Sequence, residues 1–176
     1  MDSKEAKVLN WNVEGLKGVM SALSTDIFNN FDASILTETF ITEDARIEVK
    51  GLYNIHALAR KEERGRPSGG VTCLISPKLT PFEILMRDDD QVVVRTKIGV
   101  LVCVYYRTDC SAIDIIDNIQ RAFDVIHSNE RIILSGDLNC PVDKVSSKAD
   151  MVLNYLEGEG LRLVNNRKIH TYMCHN

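Results

Sequence analysis

The chain has 176 residues, enough for one domain with a sizeable hydrophobic core. Its 44% hydrophobic and 26% charged residues are typical of a globular protein. The formal net charge of -4 argues against binding nucleic acid through bulk positive charge, although it does not exclude a local basic surface. No apolar run approaches the ~18 residues that span a bilayer, and the polar start Met1–Lys7 lacks the apolar segment of a signal peptide. The five cysteines contain no C-x-x-C spacing, which indicates reduced thiols. We therefore expect one domain over residues 1–176, located inside the cell (nucleus or cytoplasm) and without a membrane partner.

Strands and helices alternate irregularly along the chain. Apolar and β-branched runs predict strands over residues 7–13, 33–39, 53–59, 71–76, 82–86, 91–98, 100–106, 131–135 and 161–164. Apolar residues at helical spacing predict a first helix from Leu16 to Phe31. Two S-x-x-D patterns predict helix starts, at Ser111–Asp114 and Ser147–Asp150. Several adjacent strands flanked by helices predict packed sheets of an α/β (α+β) protein.

A charged loop separates the third and fourth predicted strands. It begins at Arg60 and ends in the glycines Gly69 and Gly70. Its arginines and lysine are candidates for phosphate contacts, whereas its two glutamates favour an ordinary solvated turn.

Polar side chains follow three of the predicted strands. Asn12 ends the first, Glu38 ends the second, and Asp137 and Asn139 follow the strand at 131–135. Taken alone, the last pair is also typical of an Asx-type turn. A sheet that gathers strand ends at one edge would bring these side chains into one cleft. Two carboxylates and two amides suit Mg²⁺ or Mn²⁺, an ion that can polarise a phosphoryl oxygen while a free carboxylate activates water.

Five segments, taken in order, resemble the motifs of the endonuclease/exonuclease/phosphatase superfamily. They are Leu9–Leu16, Leu36–Thr39, Gly69–Val71, Val104–Tyr106 and Ser135–Asn139. They are most similar to the apurinic-type endonuclease domain at the start of non-LTR retrotransposon polyproteins. The resemblance implies a four-layer α/β/β/α sandwich.

The resemblance also implies residue roles. Glu38 would be the direct metal ligand and Asn12 a second metal-side residue. Tyr105 would contact the scissile phosphate. Asp137 would activate the nucleophilic water, and Asn139 would hold Asp137 and the phosphate.

The chain departs from the family in two respects. It ends before the family's late Asp and Ser-Asp-His motifs, and none of its four histidines fits the missing role. Arg107-Thr108 also stands where Pro-Asn is common. We therefore expect a sandwich that lacks its last strands, an open edge covered by a second copy or a further C-terminal segment, and weakened catalysis.

Three functions follow from these observations. The first is a Mg²⁺-dependent endonuclease that nicks DNA for target-primed reverse transcription. The second is a catalytically inactive, truncated remnant that binds nucleic acid or protein. The third keeps the fold but acts on an inositol phosphate or a sphingolipid. The Trp-Asn-Val-x-Gly-Leu segment beginning at Trp11 favours the nucleic-acid branch.

Overall fold

The computed structural model describes residues 6–22, 25–44, 47–141 and 146–164. Within these ranges the strands are β1 (Val8–Asn12), β2 (Ala33–Thr37), β3 (Tyr53–Ala57), β4 (Val71–Ile75), β5 (Glu83–Arg87), β6 (Gln91–Thr96), β7 (Gly99–Tyr105) and β8 (Ile132–Asp137). The helices are α1 (Leu16–Ala22), α2 (Ala112–Phe123) and α3 (Ser147–Gly158), with 3-10 turns at Thr25–Asn30 and Pro77–Leu79.

The strands form two mixed sheets. The first has the order β1-β2-β4-β3, with β1 and β2 parallel and the other pairs antiparallel. The second has the order β5-β6-β7-β8, and its parallel pair is β7 and β8. Each sheet therefore ends in a parallel pair, formed by β1 and β2 in one sheet and by β7 and β8 in the other.

The two sheets pack face to face and carry helices on their outer faces. Alternating residues of both sheets fill the space between them, including Ile35, Cys73, Val94 and Leu101. Leu16 and Phe28 cover the outside of the first sheet, while Ile115, Ile119 and Val152 cover the outside of the second. Because β2 and β4 are covered on both faces, all their residues are buried. The expected four-layer α/β/β/α sandwich is confirmed.

Helix α2 begins as its sequence pattern predicts. The Ser111 hydroxyl accepts a hydrogen bond from the Asp114 N–H, and the Asp114 carboxylate accepts one from the Ser111 N–H at 2.9 Å. For α3 the predicted cap is one residue too late. Ser146, rather than Ser147, accepts from the Ala149 N–H at 3.0 Å.

Two predicted elements are wrong. The first helix was expected to continue to Phe31, but α1 ends at Ala22 and a 3-10 turn begins at Thr25. The Asp26 side chain competes for backbone hydrogen bonds and favours a new start over a helix interior. The segment 161–164 forms no strand, since it pairs with no other strand in the part of the chain that the structure describes, and Val164 is 93% exposed. The element expected in the tail after Lys168 lies outside the described residues.

Strands β1 and β8 form sheet edges in the described part of the chain. All six residues of β8 are only partly buried, and four of the five residues of β1 are too. An open edge at β8 is therefore present here, whereas its cover by a second copy or a further segment stays a prediction. None of the helices in the described ranges has the length and apolar character to cross a bilayer.

Candidate functional site

The two parallel strand pairs end at the same mouth of the sandwich. Asn12 is the last residue of β1 and pairs with Thr37, directly before Glu38. Tyr105 is the last residue of β7 and pairs with Asp137, the last residue of β8. Asn12 Nδ2 lies 3.5 Å from Asp137 Oδ2, the outer limit of a hydrogen bond, so the two edges meet across the gap between the sheets.

The Tyr105 side chain lies between the contributions of the two sheets. Burial raises its pKa to about 12, and the negative charges of Glu38 and Asp137 and a hydrogen bond with Glu38 add to the effect. The cation of Arg107 opposes the shift in the pKa. Tyr105 therefore keeps its phenolic proton at neutral pH, next to both carboxylates. The structure brings together Asn12, Glu38, Tyr105 and Asp137 from segments far apart in the sequence.

Asp137 is fixed by the loop that follows it. Its Oδ1 accepts a hydrogen bond from the Asn139 N–H at 2.9 Å, and its carbonyl accepts one from the Tyr106 N–H at 2.9 Å. The first contact is an Asx-type turn, so the simple structural interpretation of this segment is also correct. Asn139 contacts Asp137 through its backbone, because its side-chain Nδ2 donates instead to the Tyr106 carbonyl at 2.7 Å.

Asn12 likewise forms a turn at the end of its strand. Its Oδ1 accepts a hydrogen bond from the Glu14 N–H at 3.2 Å, and its Nδ2 faces Asp137. In this arrangement Asn12 orients the Asp137 carboxylate and stabilises the loop that leads to α1.

A hydrogen bond between Asn10 and Gly136 joins the two sheets just before the site, because these residues precede Asn12 and Asp137 on their strands. The Gly136 carbonyl accepts a hydrogen bond from Asn10 Nδ2 at 3.0 Å. A Cβ at Gly136 would lie 1.9 Å from the Val104 carbonyl oxygen, and its φ is +143°. Only glycine fits this position. The sequence interpretation did not assign Asn10 a role, although the Asn-Trp-Asn alternation puts Asn10 and Asn12 on one face of β1.

Backbone strain collects in the loops around the site. Among the described residues, the non-glycine residues with positive φ are Glu14, Glu38, Phe40 and Asn139. They follow β1, β2 and β8, the strands that deliver the polar side chains. Each such conformation costs of order 1–3 kcal/mol, so the surrounding contacts hold these loops in place against strain.

A buried polar network supports the loop that carries Tyr105. The fully buried Tyr106 donates from its hydroxyl to Gln91 Oε1 at 3.0 Å, and burial raises the pKa of Tyr106. Gln91 Nε2 in turn donates to Asp88 Oδ2 at 3.2 Å. The Tyr105 N–H donates to the Asp90 carbonyl at 2.9 Å. The turn between β5 and β6 therefore fixes the position of Tyr105.

The described histidines lie away from the site. His56 is in β3, with Nδ1 at 2.8 Å from Thr72 Oγ1, and His127 is exposed after α2. His170 and His175 lie outside the described residues.

The donor set fits a hard divalent cation. No group of three or more His, Cys, Asp or Glu side chains arranged to hold a metal occurs in the described ranges. Mg²⁺, however, needs only one or two carboxylates and keeps several waters. Glu38 and Asp137 supply two carboxylates beside Tyr105. Asn12 lies beside Asp137, with its Nδ2 towards that carboxylate and its Oδ1 on the Glu14 N–H. The chemistry of these side chains therefore suits Mg²⁺ or Mn²⁺.

Several solved nucleases share this fold. The endonuclease domain of TRAS1, a telomere-specific non-LTR retrotransposon, is 14% identical with a TM-score of 0.67; the match covers 96% of this chain and 77% of that one. An AP endonuclease from Archaeoglobus fulgidus is 11% identical with a TM-score of 0.66, covering 87% and 70%. The Xenopus laevis APE2 catalytic domain is 16% identical with a TM-score of 0.64, covering 85% and 67%. No family model and no curated protein matches the sequence.

These similarities define the fold class. The chain has an endonuclease/exonuclease/phosphatase-type fold, as the sequence motifs predicted. Among proteins with this fold, it is similar to the TRAS1 retrotransposon endonuclease and to AP endonucleases.

Proposed function

We propose that this protein is a divalent-metal phosphodiesterase that nicks DNA, in the manner of a retrotransposon endonuclease acting before target-primed reverse transcription. The observation that carries the proposal is the convergence of Glu38, Asp137 and the protonated Tyr105 at one mouth of the sandwich. The fold similarity to a retrotransposon endonuclease and to AP endonucleases supports the same class of reaction.

Glu38 and Asn12 are the residues that would hold the metal. When bound there, Mg²⁺ or Mn²⁺ would supply charge that neutralises the phosphoryl oxygens. The left-handed backbone at Glu38 and the turn at Asn12 hold both side chains at the ends of neighbouring strands. Their positions are therefore set before any ligand arrives.

Asp137 and Tyr105 perform the remaining steps. Asp137, fixed by the Asn139 N–H, accepts the proton of the attacking water. The water oxygen bonds to phosphorus, the bond from phosphorus to the leaving sugar oxygen breaks, and solvent protonates that oxygen. Tyr105 donates a hydrogen bond from its hydroxyl to a phosphoryl oxygen and keeps its proton, since its pKa is raised to about 12. Asn139 holds Asp137 in place through its backbone and anchors the loop through Tyr106.

The sequence favours DNA over an inositol phosphate or a sphingolipid headgroup as the substrate. The Trp-Asn-Val-x-Gly-Leu segment that begins at Trp11 resembles the nucleic-acid branch of the superfamily, and this segment contains Asn12 at the end of β1.

Nicking of supercoiled plasmid in Mg²⁺ or Mn²⁺ tests the proposal. We expect conversion to open circles by the wild-type protein and its loss in EDTA. Glu38→Gln and Asp137→Asn should each lower the rate by ~10²-fold or more. Asp117→Asn, which removes an exposed carboxylate from α2, is the matched control and should retain the rate.

Two results of the nicking assay would contradict the proposal. One is an absence of nicking by folded wild-type protein that still binds DNA, which would favour the inactive binding module. The other is equal nicking by wild type and Asp137→Asn, which would identify a contaminating nuclease. Release of phosphate from inositol phosphates, without nicking, would move the substrate to the third class.

A further inference from the structure

A shallow hollow opens beside Tyr105 and carries two arginines. It lies between the loop that joins β3 to β4 and the loop that follows β7. Its lining includes Arg60, Gly69, Asp90, Tyr105 and Arg107. A substrate phosphate at Tyr105 would have its neighbour along the DNA strand within the reach of this hollow, since phosphates repeat along every strand.

Arg60 forms an ion pair with Asp90 that is part of the structure of this hollow. Its Nη2 lies 3.1 and 2.8 Å from the two carboxylate oxygens of Asp90. The side chain of Asp90 is 24% exposed, and its carbonyl accepts the Tyr105 N–H. Breaking this ion pair would leave a half-buried carboxylate next to the site, so Arg60 stays with Asp90.

Arg107 forms a more exposed ion pair than Arg60 does. It follows β7 by two residues, and its Nε donates to Asp109 Oδ1 at 2.9 Å, with a second contact from Nη2 to Oδ2. The two side chains are 47% and 62% exposed. An exposed pair of this kind contributes little to stability, because water screens both charges. A phosphate offers the same two-oxygen geometry to the guanidinium and can replace Asp109.

We propose that Arg107 binds a DNA phosphate adjacent to the one that is cleaved, and that Asp109 occupies the guanidinium when DNA is absent. This inference rests on the proposed function, because it requires a DNA strand across Tyr105. Arg107 stands where the family resemblance predicts proline, so the contact belongs to this chain's own sequence.

Among the residues that line the hollow, Arg107 is the cation that can exchange its carboxylate partner for a phosphate, because Arg60 is held by Asp90. Asp90 is paired with Arg60, and Glu62 accepts a hydrogen bond from the Ser68 hydroxyl at 2.5 Å. Asp89 is exposed to solvent at the rim. Gly69 lies close to the Tyr105 ring. A Cβ at this position would lie 3.1 Å from the ring and would crowd it.

Fluorescence anisotropy with a labelled 20-base-pair duplex tests the contact without catalysis. Binding is measured in EDTA at several KCl concentrations. Arg107→Ala should reduce the slope of log K against log[salt] by about 0.9 and weaken binding about tenfold at 0.1 M salt. Arg107→Lys should restore the slope, because it restores the charge. Asp109→Asn should raise the affinity by up to about fivefold, since it removes the competing carboxylate.

Arg131→Ala is the matched control. Arg131 is an exposed arginine directly before β8, at the end of the strand opposite to Asp137, and its loss makes the same change in net charge. Its slope should equal that of the wild type. Equal slopes for Arg107→Ala and wild type, or equal losses in Arg107→Ala and Arg131→Ala, would overturn the inference while plasmid nicking kept the proposed function intact. Weaker binding by Asp109→Asn would overturn the exchange of partners. Wild-type protein that neither binds nor nicks DNA would defeat both proposals.

Discussion

Substituting Gly136 by alanine is the sharpest test of how the site is built. An alanine Cβ at this position would lie 1.9 Å from the Val104 carbonyl oxygen and 2.8 Å from the Val104 nitrogen and carbonyl carbon. These are backbone atoms of the neighbouring strand, so no side-chain rotation relieves the clash. Strands β7 and β8 must separate by about 1 Å or more to restore contact distances.

Three costs add up in this variant. The φ of +143° costs an alanine about 1–2 kcal/mol. Overpacking against β7 costs about 1–3 kcal/mol. Each ladder hydrogen bond lost beside Val104 costs about 1 kcal/mol. We therefore expect Gly136→Ala to lower the free energy of unfolding by about 3–6 kcal/mol, a large share of a typical total of about 5–15 kcal/mol.

Urea denaturation followed by circular dichroism measures this loss. Gly158→Ala is the matched control, because Gly158 is the last residue of α3 and a Cβ there meets nothing within 4 Å. That variant should gain up to about 1 kcal/mol, since alanine is the better helix former. A Gly136→Ala protein within about 1 kcal/mol of wild type would refute the reasoning.

The remaining predictions concern individual side chains. The pKa of Tyr105 is raised to about 12, so its contribution to stability is complete below pH 10 and is lost as the pH rises to about 12; Tyr105→Phe should show a smaller loss of unfolding free energy over that range. Hydrogen bonds from Arg95 and from the His127 N–H lower the pKa of Glu130 to about 2, so its contribution is complete above pH 4.5 and disappears as the pH falls to about 2; Glu130→Gln should flatten that part of an acid-unfolding curve. A hydrogen bond with Cys73 and full burial raise the pKa of the Cys103 thiol, so N-ethylmaleimide at pH 8 should leave both thiols unmodified in native protein and modify them in urea; mass spectrometry of peptides gives the answer, and labelling of native Cys103 would contradict the burial.

The strand ends of the site were predictable from sequence. Asn12, Glu38 and Asp137 each follow or end an apolar run, and a sheet that gathers strand ends gathers such residues. Tyr105 was found through the family resemblance, since an aromatic residue in a strand is otherwise typical of a core. The structure brings all four together.

Contacts between the two sheets could not be predicted from the sequence. The bond from Asn10 to Gly136 joins residues 126 positions apart, and no local pattern specifies such a partner. The same limit explains the wrong strand at 161–164, where apolar residues are present but none pairs with another described strand. The end of α1 at Ala22 shows a different limit, because apolar spacing continues to Phe31 and cannot reveal where the backbone changes helix type.

The site draws its carboxylates from opposite halves of the chain. Glu38 belongs to the sheet built by the first half, whereas Asp137 and Tyr105 belong to the sheet built by the second. A cut between Leu79 and Glu83 would leave each fragment with one sheet and with half of the polar cluster. Neither piece alone could then bring an acid from each sheet to the Tyr105 hydroxyl, and mixing the two fragments would regenerate the pair only upon reassociation. The polar cluster at the mouth therefore forms only when the two sheets have packed against each other.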